Sequence, residues 1–170
     1  MGLIFLIGFM GSGKSTVSGY LQQYSDYTKI EMDEEIEEKE HMKIREIFKG
    51  KGEEYFRNLE TEYLLQISKT DENYVVSCGG GVAMKEENVR IMKSCGRVVW
   101  LDALPGTIYE RVKDSHHRPL LEGHWNVSYI QGLMDKRRNQ YESAADICIQ
   151  TDYQTPEEIC KKLLEEITQE

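Results

Sequence analysis

The stretch GFMGSGKST, residues 8–16, decides the fold of this chain. It fits the pattern G-x-x-x-x-G-K-[ST], follows the apolar run Leu3–Ile7 and precedes a segment with helical character. A strand, a glycine-rich turn and a helix in this order form a P-loop, in which backbone N–H groups at a helix N-terminus surround phosphate groups. The alternative is a glycine-rich turn with a surface lysine, which chance seldom produces with all four fixed positions matched.

The P-loop chemistry predicts a role for each of its parts. Lys14 is expected to contact the β- and γ-phosphates of ATP, and Ser15 is expected to ligate Mg²⁺ as the cofactor. The backbone N–H groups that hold the phosphates are those of Gly11, Ser12, Gly13, Lys14, Ser15 and Thr16.

Composition bounds the remaining possibilities. A chain of 170 residues, 39% hydrophobic and 30% charged, fits one globular domain over residues 1–170. The formal net charge of -9 argues against a sequence-independent nucleic-acid binder, which needs a basic surface. Any phosphate is therefore expected to be held locally, and the partners to be small molecules rather than nucleic acid.

Cysteine spacing and the N-terminal run indicate the compartment. Cys78, Cys95, Cys148 and Cys160 are widely separated without a C-x-x-C pair, which favours reduced thiols in a cytoplasmic protein. The apolar run Leu3–Met10 lacks a basic flank and is too short to cross a bilayer, so it predicts a buried strand and no membrane association.

Apolar runs alternate with helical patterns along the chain, which predicts an α/β fold with a mostly parallel sheet. Strands are predicted at Leu3–Ile7, Lys29–Glu31, Tyr74–Val76, Val98–Leu101 and Ile147–Ile149. Helices are predicted at Lys14–Gln23, Glu86–Ser94, Pro105–Lys113, Ser128–Ala144 and Thr155–Ile167, and one longer helix carries the apolar stripe from Ile44 to Leu64. The irregular stretch of residues 114–127 is predicted to be a lid.

A P-loop alone leaves the phosphoryl acceptor open. A GTPase would carry an N/TKxD motif, which the chain lacks, and an ATPase would carry a strand that ends in Asp. The corresponding strand here ends in Ser77, Cys78 and Gly79. These features favour a kinase for a small molecule.

Six segments in a fixed order then carry a specific resemblance. They are GFMGSGKST, EMDEEIE (residues 31–37), IFKGKGEEYFRNLE (47–60), CGGGV (78–82), RPLL (118–121) and RRNQYESAAD (137–146). Together they resemble the shikimate kinase family. The resemblance implies a three-layer P-loop kinase fold with a five-stranded parallel sheet in the order 2-3-1-4-5, a lid and a substrate-binding helical region at about residues 33–62. It also implies Mg²⁺-dependent transfer of the ATP γ-phosphoryl group to the 3-hydroxyl of shikimate, in aromatic amino-acid biosynthesis. Apart from this resemblance, we expect the protein to be a monomer.

The resemblance assigns the acceptor carboxylate to two arginines. Arg57 matches that geometry because a guanidinium fork can bind a carboxylate through two hydrogen bonds. Glu60, three residues further on, is expected to orient Arg57, although the pair alone fits an ordinary surface ion pair. Arg137 is the second cation, four residues before Tyr141 as in the family pattern; the adjacent Arg138 points about 100° away on the helix.

Further positions follow from the same resemblance. Asp33, at the end of the second strand, is expected to orient the acceptor hydroxyl or accept its proton. Glu31 stands where the family usually has Asp, and it could reach Mg²⁺ through water. Gly80, between Gly79 and Gly81, is expected to offer its backbone N–H to a ring lying against the chain.

The lid and the far end of the nucleotide site complete the prediction. Arg118 is expected to close over ATP and neutralise charge on the transferred phosphoryl group. Arg111 and Gln154 resemble positions beside the adenine, and each also fits a surface role. Two other functions stay open: a kinase for another hydroxylated acid such as gluconate, and a nucleotide-binding regulator without transfer activity.

Overall fold

Five parallel strands form a single sheet in the order β2-β3-β1-β4-β5. The computed structural model describes residues 2–113 and 126–168. The strands are β1 (Leu3–Ile7), β2 (Thr28–Glu31), β3 (Tyr74–Ser77), β4 (Gly96–Asp102) and β5 (Ile147–Gln150). The predicted fold class, strand number and strand order are confirmed.

The central strand β1 is apolar throughout because both of its faces are covered. Its five residues are at most 3% exposed. Leu3, Phe5 and Ile7 point into a core that includes Met32, Phe56, Val76, Trp100 and Tyr141. Ile4 and Leu6 point into a second core on the opposite face. A continuous apolar run is therefore the expected sequence of a strand in the middle of a parallel sheet.

Helices cover both faces of the sheet. They are α1 (Lys14–Tyr24), α2 (Met32–Glu40), α3 (Ile44–Lys51), α4 (Glu53–Ile67), α5 (Glu86–Cys95), α6 (Pro105–Val112), α7 (Val127–Ala144) and α8 (Pro156–Thr168). A short 3₁₀ turn, Val82–Met84, lies between β3 and α5. Valines, leucines and isoleucines of α1 and α8 pack on the Ile4 side, whereas α2, α4, α5 and α7 contribute to the Phe5 side.

The prediction of one longer helix from Ile44 to Leu64 is wrong. Gly52 separates α3 from α4 with φ 87° and ψ 168°, a conformation that L-residues with a side chain rarely adopt. Its N–H bonds the carbonyl oxygens of Ile47 and Phe48 and so ends α3. The apolar stripe continues across this break, because both helices pack on the same core, and the periodicity alone conceals the turn.

The acidic run after β2 forms a helix that the sequence pattern did not indicate. Met32 and Ile36, four residues apart, are buried in α2 while the glutamates between them face outward. Asp33 consequently lies in the first turn of α2 rather than at the end of β2. Within residues 2–113 and 126–168, no helix combines the length and the apolar character needed to cross a membrane.

Gly52 and Gly50 provide a matched test of the break. A Cβ would meet no atom within 4 Å at either position, so the effect of an alanine there on stability depends only on the backbone conformation of the residue. Gly52→Ala is expected to lower the free energy of unfolding by about 1–3 kcal/mol because of backbone strain. Gly50→Ala, inside α3, is expected to raise it by about 0.5–1 kcal/mol. Thermal unfolding measures both, and an unchanged midpoint for Gly52→Ala would contradict the proposed strain.

Candidate active site

The carboxyl edge of the sheet opens into one large cavity of about 1070 Å³. A cavity of this size is at the upper end of the range for small-molecule sites. It is lined by every predicted site residue that the structure describes: Gly11, Ser12, Gly13, Lys14, Ser15, Thr16, Glu31, Asp33, Arg57, Glu60, Gly79, Gly80, Gly81, Arg111, Arg137 and Gln154. The predicted Arg118 and most of the predicted lid lie outside the described residues.

The P-loop connects β1 to α1 through a close approach to β4. A Cβ on Gly8 would lie 2.5 Å from the carbonyl oxygen of Leu101, so only glycine allows the chain to turn there. Helix α1 then begins at Lys14 after Gly13, which offers no capping side chain. The first N–H groups of α1 therefore face the cavity without a side-chain acceptor, which is the arrangement that binds anions.

The Lys14 ammonium lies over the P-loop. Its Nζ donates hydrogen bonds to the carbonyl oxygens of Gly8, at 2.8 Å, and Phe9, at 3.0 Å. These contacts keep the positive charge at the mouth of the loop, directly beside the helix N-terminus. The two features together create a local positive potential in a protein with a net negative charge.

Oxygen atoms converge beside the P-loop where a hard cation could bind. The Ser15 hydroxyl donates to Glu31 Oε2 at 2.9 Å and lies 3.4 Å from the Ser77 hydroxyl. Lys29 forms an ion pair with the other oxygen of Glu31 at 2.9 Å. In the described part of the chain, no group of three or more His, Cys, Asp or Glu residues could hold a metal. The donor set suits Mg²⁺, which keeps water and phosphate oxygens as most of its ligands.

At the other end of the cavity, Arg57 is held by two carboxylates. Its Nη1 donates to Glu60 Oε2 at 2.8 Å and its Nη2 pairs with Glu53 Oε1 at 3.2 Å. The Glu60 side chain is 0% exposed, so this pair is not the surface ion pair that the spacing also allowed. Sequence reasoning missed Glu53, although its position four residues before Arg57 on the same helix was a usable signal.

Arg137 and Arg138 point in different directions, as their adjacency predicted. Arg137 lines the cavity, and its Nη1 donates to the Gly80 carbonyl oxygen at 3.4 Å. The Tyr141 hydroxyl, one turn further along α7, donates to the same oxygen. Arg138 instead forms an ion pair with Asp102 at 2.9 Å and lies 5.1 Å from the centre of the Trp100 ring.

The glycine turn after β3 brings these groups into contact. A Cβ on Gly81 would lie 2.4 Å from Arg57 Nη1. A Cβ on Gly79 would lie 2.9 Å from both Asp33 Oδ1 and Glu60 Oε1. The space beside Gly80 is wider, since a Cβ there would meet Arg137 Nη1 only at 3.6 Å. Gly79 and Gly81 thus make room for the charged groups of the protein itself, and the surface at Gly80 remains available to a ligand.

Burial shifts the ionisation of the two carboxylates at this turn. Desolvation raises the pKa of Asp33 above its usual value even though its side chain opens to the cavity, and Lys14 partly opposes the shift. Desolvation raises the pKa of Glu60 to about 7, against the opposing charge of Arg57. Burial also raises the pKa of the Cys78 thiol, so the thiolate that a nucleophile requires is disfavoured.

The remaining predicted residues lie at the outer end of the nucleotide side. Arg111 donates to the carbonyl oxygens of Gly11, at 3.1 Å, and Thr151, at 3.3 Å, and thereby joins the P-loop to the segment that follows β5. Gln154 donates to the Gln150 carbonyl oxygen and lines the cavity. Both residues therefore line the same cavity as the P-loop.

The cavity combines a P-loop with a second binding region that contains fixed cations, and it lies at the carboxyl edge of a sheet with the strand order 2-3-1-4-5. This combination defines a small-molecule kinase of the P-loop class. A family model described as shikimate kinase matches residues 10–168. The chain belongs to the shikimate kinase family, and the family predicted from the sequence is confirmed. The enzyme class of that family, an ATP-dependent phosphotransferase, is also the one that the sequence predicted.

Individual relatives agree with this assignment. Over 161 residues the chain is 43% identical to a shikimate kinase from Persephonella marina, with 95% of this chain and 96% of the relative covered. The structure of a shikimate kinase from Acinetobacter baumannii in complex with shikimate superposes with a TM-score of 0.92 at 29% identity, covering 99% of this chain and 94% of the other. The crystal structure of shikimate kinase from Aquifex aeolicus gives a TM-score of 0.83 at 40% identity, with coverage of 97% and 95%.

The buried Glu60 predicts a pH dependence of stability. Its pKa of about 7 in the folded protein exceeds the value near 4.5 of an unperturbed glutamate. The stability that protonated Glu60 contributes to the folded protein is therefore fully present below pH 4.5 and is lost as the pH rises through 7. Gln does not ionise, so the stability of Glu60→Gln lacks this pH dependence. Its free energy of unfolding is expected to rise relative to that of the unsubstituted protein between pH 5 and pH 8.

Thermal unfolding of both proteins at several pH values measures this difference. Glu62→Gln on the same helix is the control, because the Glu62 side chain is 61% exposed. A difference between the unsubstituted protein and Glu60→Gln that stays constant from pH 5 to pH 8 would contradict the raised pKa.

Proposed function

We propose that this protein transfers the γ-phosphoryl group of ATP to the 3-hydroxyl of shikimate, which gives shikimate 3-phosphate and ADP. One observation carries the proposal: two guanidinium groups and a carboxylate surround a glycine turn in the same cavity as the P-loop. Shikimate is a small ring with one carboxylate and three hydroxyls. It therefore needs fixed cations at one end, a hydroxyl acceptor at the other and a flat surface between them.

The P-loop residues bind the triphosphate in this proposal. The first N–H groups of α1 bind the phosphate oxygens, and Lys14 leaves its carbonyl partners to contact the β- and γ-phosphates. Ser15 would hold Mg²⁺, and Glu31, which accepts a hydrogen bond from the Ser15 hydroxyl, would act on the ion through water. When bound, Mg²⁺ neutralises phosphate charge and orients the γ-phosphoryl group. Arg111 and Gln154 lie beside the base.

The acceptor residues fix the ring. Arg57 and Arg137 bind the carboxylate of shikimate, each with a guanidinium that is already held by protein acceptors. Because Glu60 fixes Arg57 before the substrate arrives, little side-chain entropy is lost on binding. The N–H of Gly80 donates to a ring hydroxyl, and the surface at Gly80 has room for the ring.

Asp33 orients the hydroxyl that attacks. Its raised pKa makes it a better proton acceptor than an ordinary aspartate. The hydroxyl oxygen forms a bond to the γ-phosphorus as the bond to the bridging oxygen of ADP breaks, and the hydroxyl proton passes to Asp33. Positioning and charge neutralisation supply most of the catalysis in such in-line transfers. The buried Cys78 takes no part, and no covalent enzyme intermediate is required.

The proposal also includes a role for Arg118 in the segment of residues 114–127. As the family resemblance implies, Arg118 closes over ATP. The protein acts as a monomer in the cytoplasm, in aromatic amino-acid biosynthesis. All four cysteines are free thiols, which suits a reducing compartment.

An assay of ADP release with different acceptors tests the proposed function. Turnover is expected with shikimate and Mg²⁺, and the rate should fall to background when EDTA removes the metal or when gluconate replaces shikimate. ADP release that does not require an acceptor would contradict the kinase assignment. Turnover on gluconate but not on shikimate would contradict the substrate.

Arg137 and Arg138 provide a matched pair of variants. Arg137→Met removes a cation that binds the substrate carboxylate, and the KM for shikimate is expected to rise by about 10–100-fold, with a small change in the KM for ATP. Arg138→Met removes the ion pair with Asp102 outside the cavity, so both KM values should stay within about twofold. Equal effects of the two substitutions on the KM for shikimate would show that Arg137 does not bind the carboxylate.

A further inference from the structure

A buried polar network lies behind the acceptor end of the cavity and has no role in the proposed mechanism. Thr61 and Asn88, 6% and 0% exposed, form its centre. The Thr61 hydroxyl donates to Asn88 Oδ1 at 2.7 Å, and Asn88 Nδ2 donates to the carbonyl oxygen of Val82 at 3.1 Å. Lys85 Nζ donates to the Thr61 hydroxyl at 2.9 Å.

The chemistry of the partners fixes the direction of each bond. A carbonyl oxygen only accepts, so the amide nitrogen of Asn88 must face Val82 and its oxygen must face Thr61. An ammonium only donates, so the Thr61 hydroxyl accepts from Lys85. Its single proton has two acceptors within reach, Asn88 Oδ1 at 2.7 Å and the Arg57 carbonyl oxygen one turn back at 3.1 Å. The shorter contact, to Asn88, continues the chain from Lys85 to Val82.

These bonds join two of the elements that build the acceptor site. Thr61 follows Glu60 directly on α4 and lies one turn after Arg57. Val82 begins the 3₁₀ turn that follows the three glycines. Asn88, in the first turn of α5, connects them. The network thus ties the helix that carries Arg57 to the turn that carries Gly80.

The spacing between these two elements leaves little tolerance. Arg57 Nη1 lies so close to the Gly81 backbone that a single added carbon there would be 2.4 Å away. Apolar contacts between α4 and α5 are not directional, so they do not by themselves fix the position of α4 along its axis. Directional hydrogen bonds between the two elements, from Lys85 to Thr61 and from Thr61 through Asn88 to Val82, can fix it.

We propose that Thr61 and Asn88, supported by Lys85, are positioning residues that set the distance between the Arg57 guanidinium and the Gly80 backbone N–H. They act on the binding of the acceptor and not on the nucleotide, because the network contacts no residue of the P-loop. This inference rests on the proposed function, since it concerns the site assigned to shikimate.

Thr61→Val tests the network with almost no change in side-chain shape. It removes the hydroxyl that joins Lys85 to Asn88, whereas Thr61→Ser keeps the hydroxyl and is the matched control. Isothermal titration with shikimate and, separately, with ADP measures the two dissociation constants, and thermal unfolding measures stability. The dissociation constant for shikimate is expected to rise by about tenfold in Thr61→Val, an effect of the size that the loss of one hydrogen bond has, because Arg57 and the Gly80 N–H are then less well aligned for the same ligand.

The dissociation constant for ADP should not change in Thr61→Val, and Thr61→Ser should bind both ligands like the unsubstituted protein. A residue that only stabilises the fold would lower the unfolding midpoint without separating the two ligands. An equal dissociation constant for shikimate in Thr61→Val and Thr61→Ser would overturn the inference.

Lys85→Met gives a second test that does not alter a buried residue. The Lys85 side chain is 34% exposed, and its loss should shift shikimate binding in the same direction as Thr61→Val. Lys93→Met, at a lysine of α5 that pairs with Asp146, is the control and should leave both ligands unaffected. If Lys85→Met and Thr61→Val both bound shikimate like the unsubstituted protein, the positioning role of the network would be overturned but the proposed function would stand. Absence of shikimate binding by the unsubstituted protein would contradict the proposed function as well.

Discussion

The parallel arrangement of β1, β2 and β3 is the constraint on which the site depends. Because the three strands run in the same direction, the P-loop, α2 and the glycine turn all begin at the same edge of the sheet. Two main-chain approaches keep that edge compact: the Cα of Gly8 lies against Leu101, and the Cα of Gly81 lies against the Arg57 guanidinium. Neither position has room for a side chain. The parallel pairing of β1 with β3 therefore places the nucleotide and acceptor ends of the cavity side by side.

The acceptor end is held by charge as much as by packing. The Arg57–Glu60 pair is partly buried, and a buried pair costs desolvation free energy that its attraction does not fully recover. One oxygen of Glu60 is buried and forms no hydrogen bond with the described part of the chain. The buried Arg57–Glu60 pair is therefore poorly explained by its contribution to stability. Its role fits a binding site, in which Glu60 holds the Arg57 guanidinium in position for an anionic substrate. The raised pKa of Glu60 is a consequence of the same burial.

Much of the fold was predictable from the sequence because its signals are local. The apolar run of β1 and the glycines after it specify the P-loop, and the adjacency of Arg137 and Arg138 correctly predicted that only one of them lines the cavity. The break at Gly52 was missed because both helices present apolar residues to the same core. Helix α2 was missed because only two of its nine residues, Met32 and Ile36, are buried, and the acidic residues around them show no apolar periodicity. The link from Thr61 through Asn88 to Val82 spans elements distant in sequence, so no spacing rule could have indicated it.

A crystal structure of the protein with shikimate, ADP and Mg²⁺ would show directly how the acceptor binds. The shikimate carboxylate is expected within hydrogen-bond distance of the Arg57 and Arg137 guanidinium groups, with the ring against Gly80. The 3-hydroxyl is expected beside Asp33 and directed toward the phosphates bound by the P-loop. A carboxylate bound elsewhere, or a ring whose 3-hydroxyl points away from the nucleotide, would contradict this binding mode.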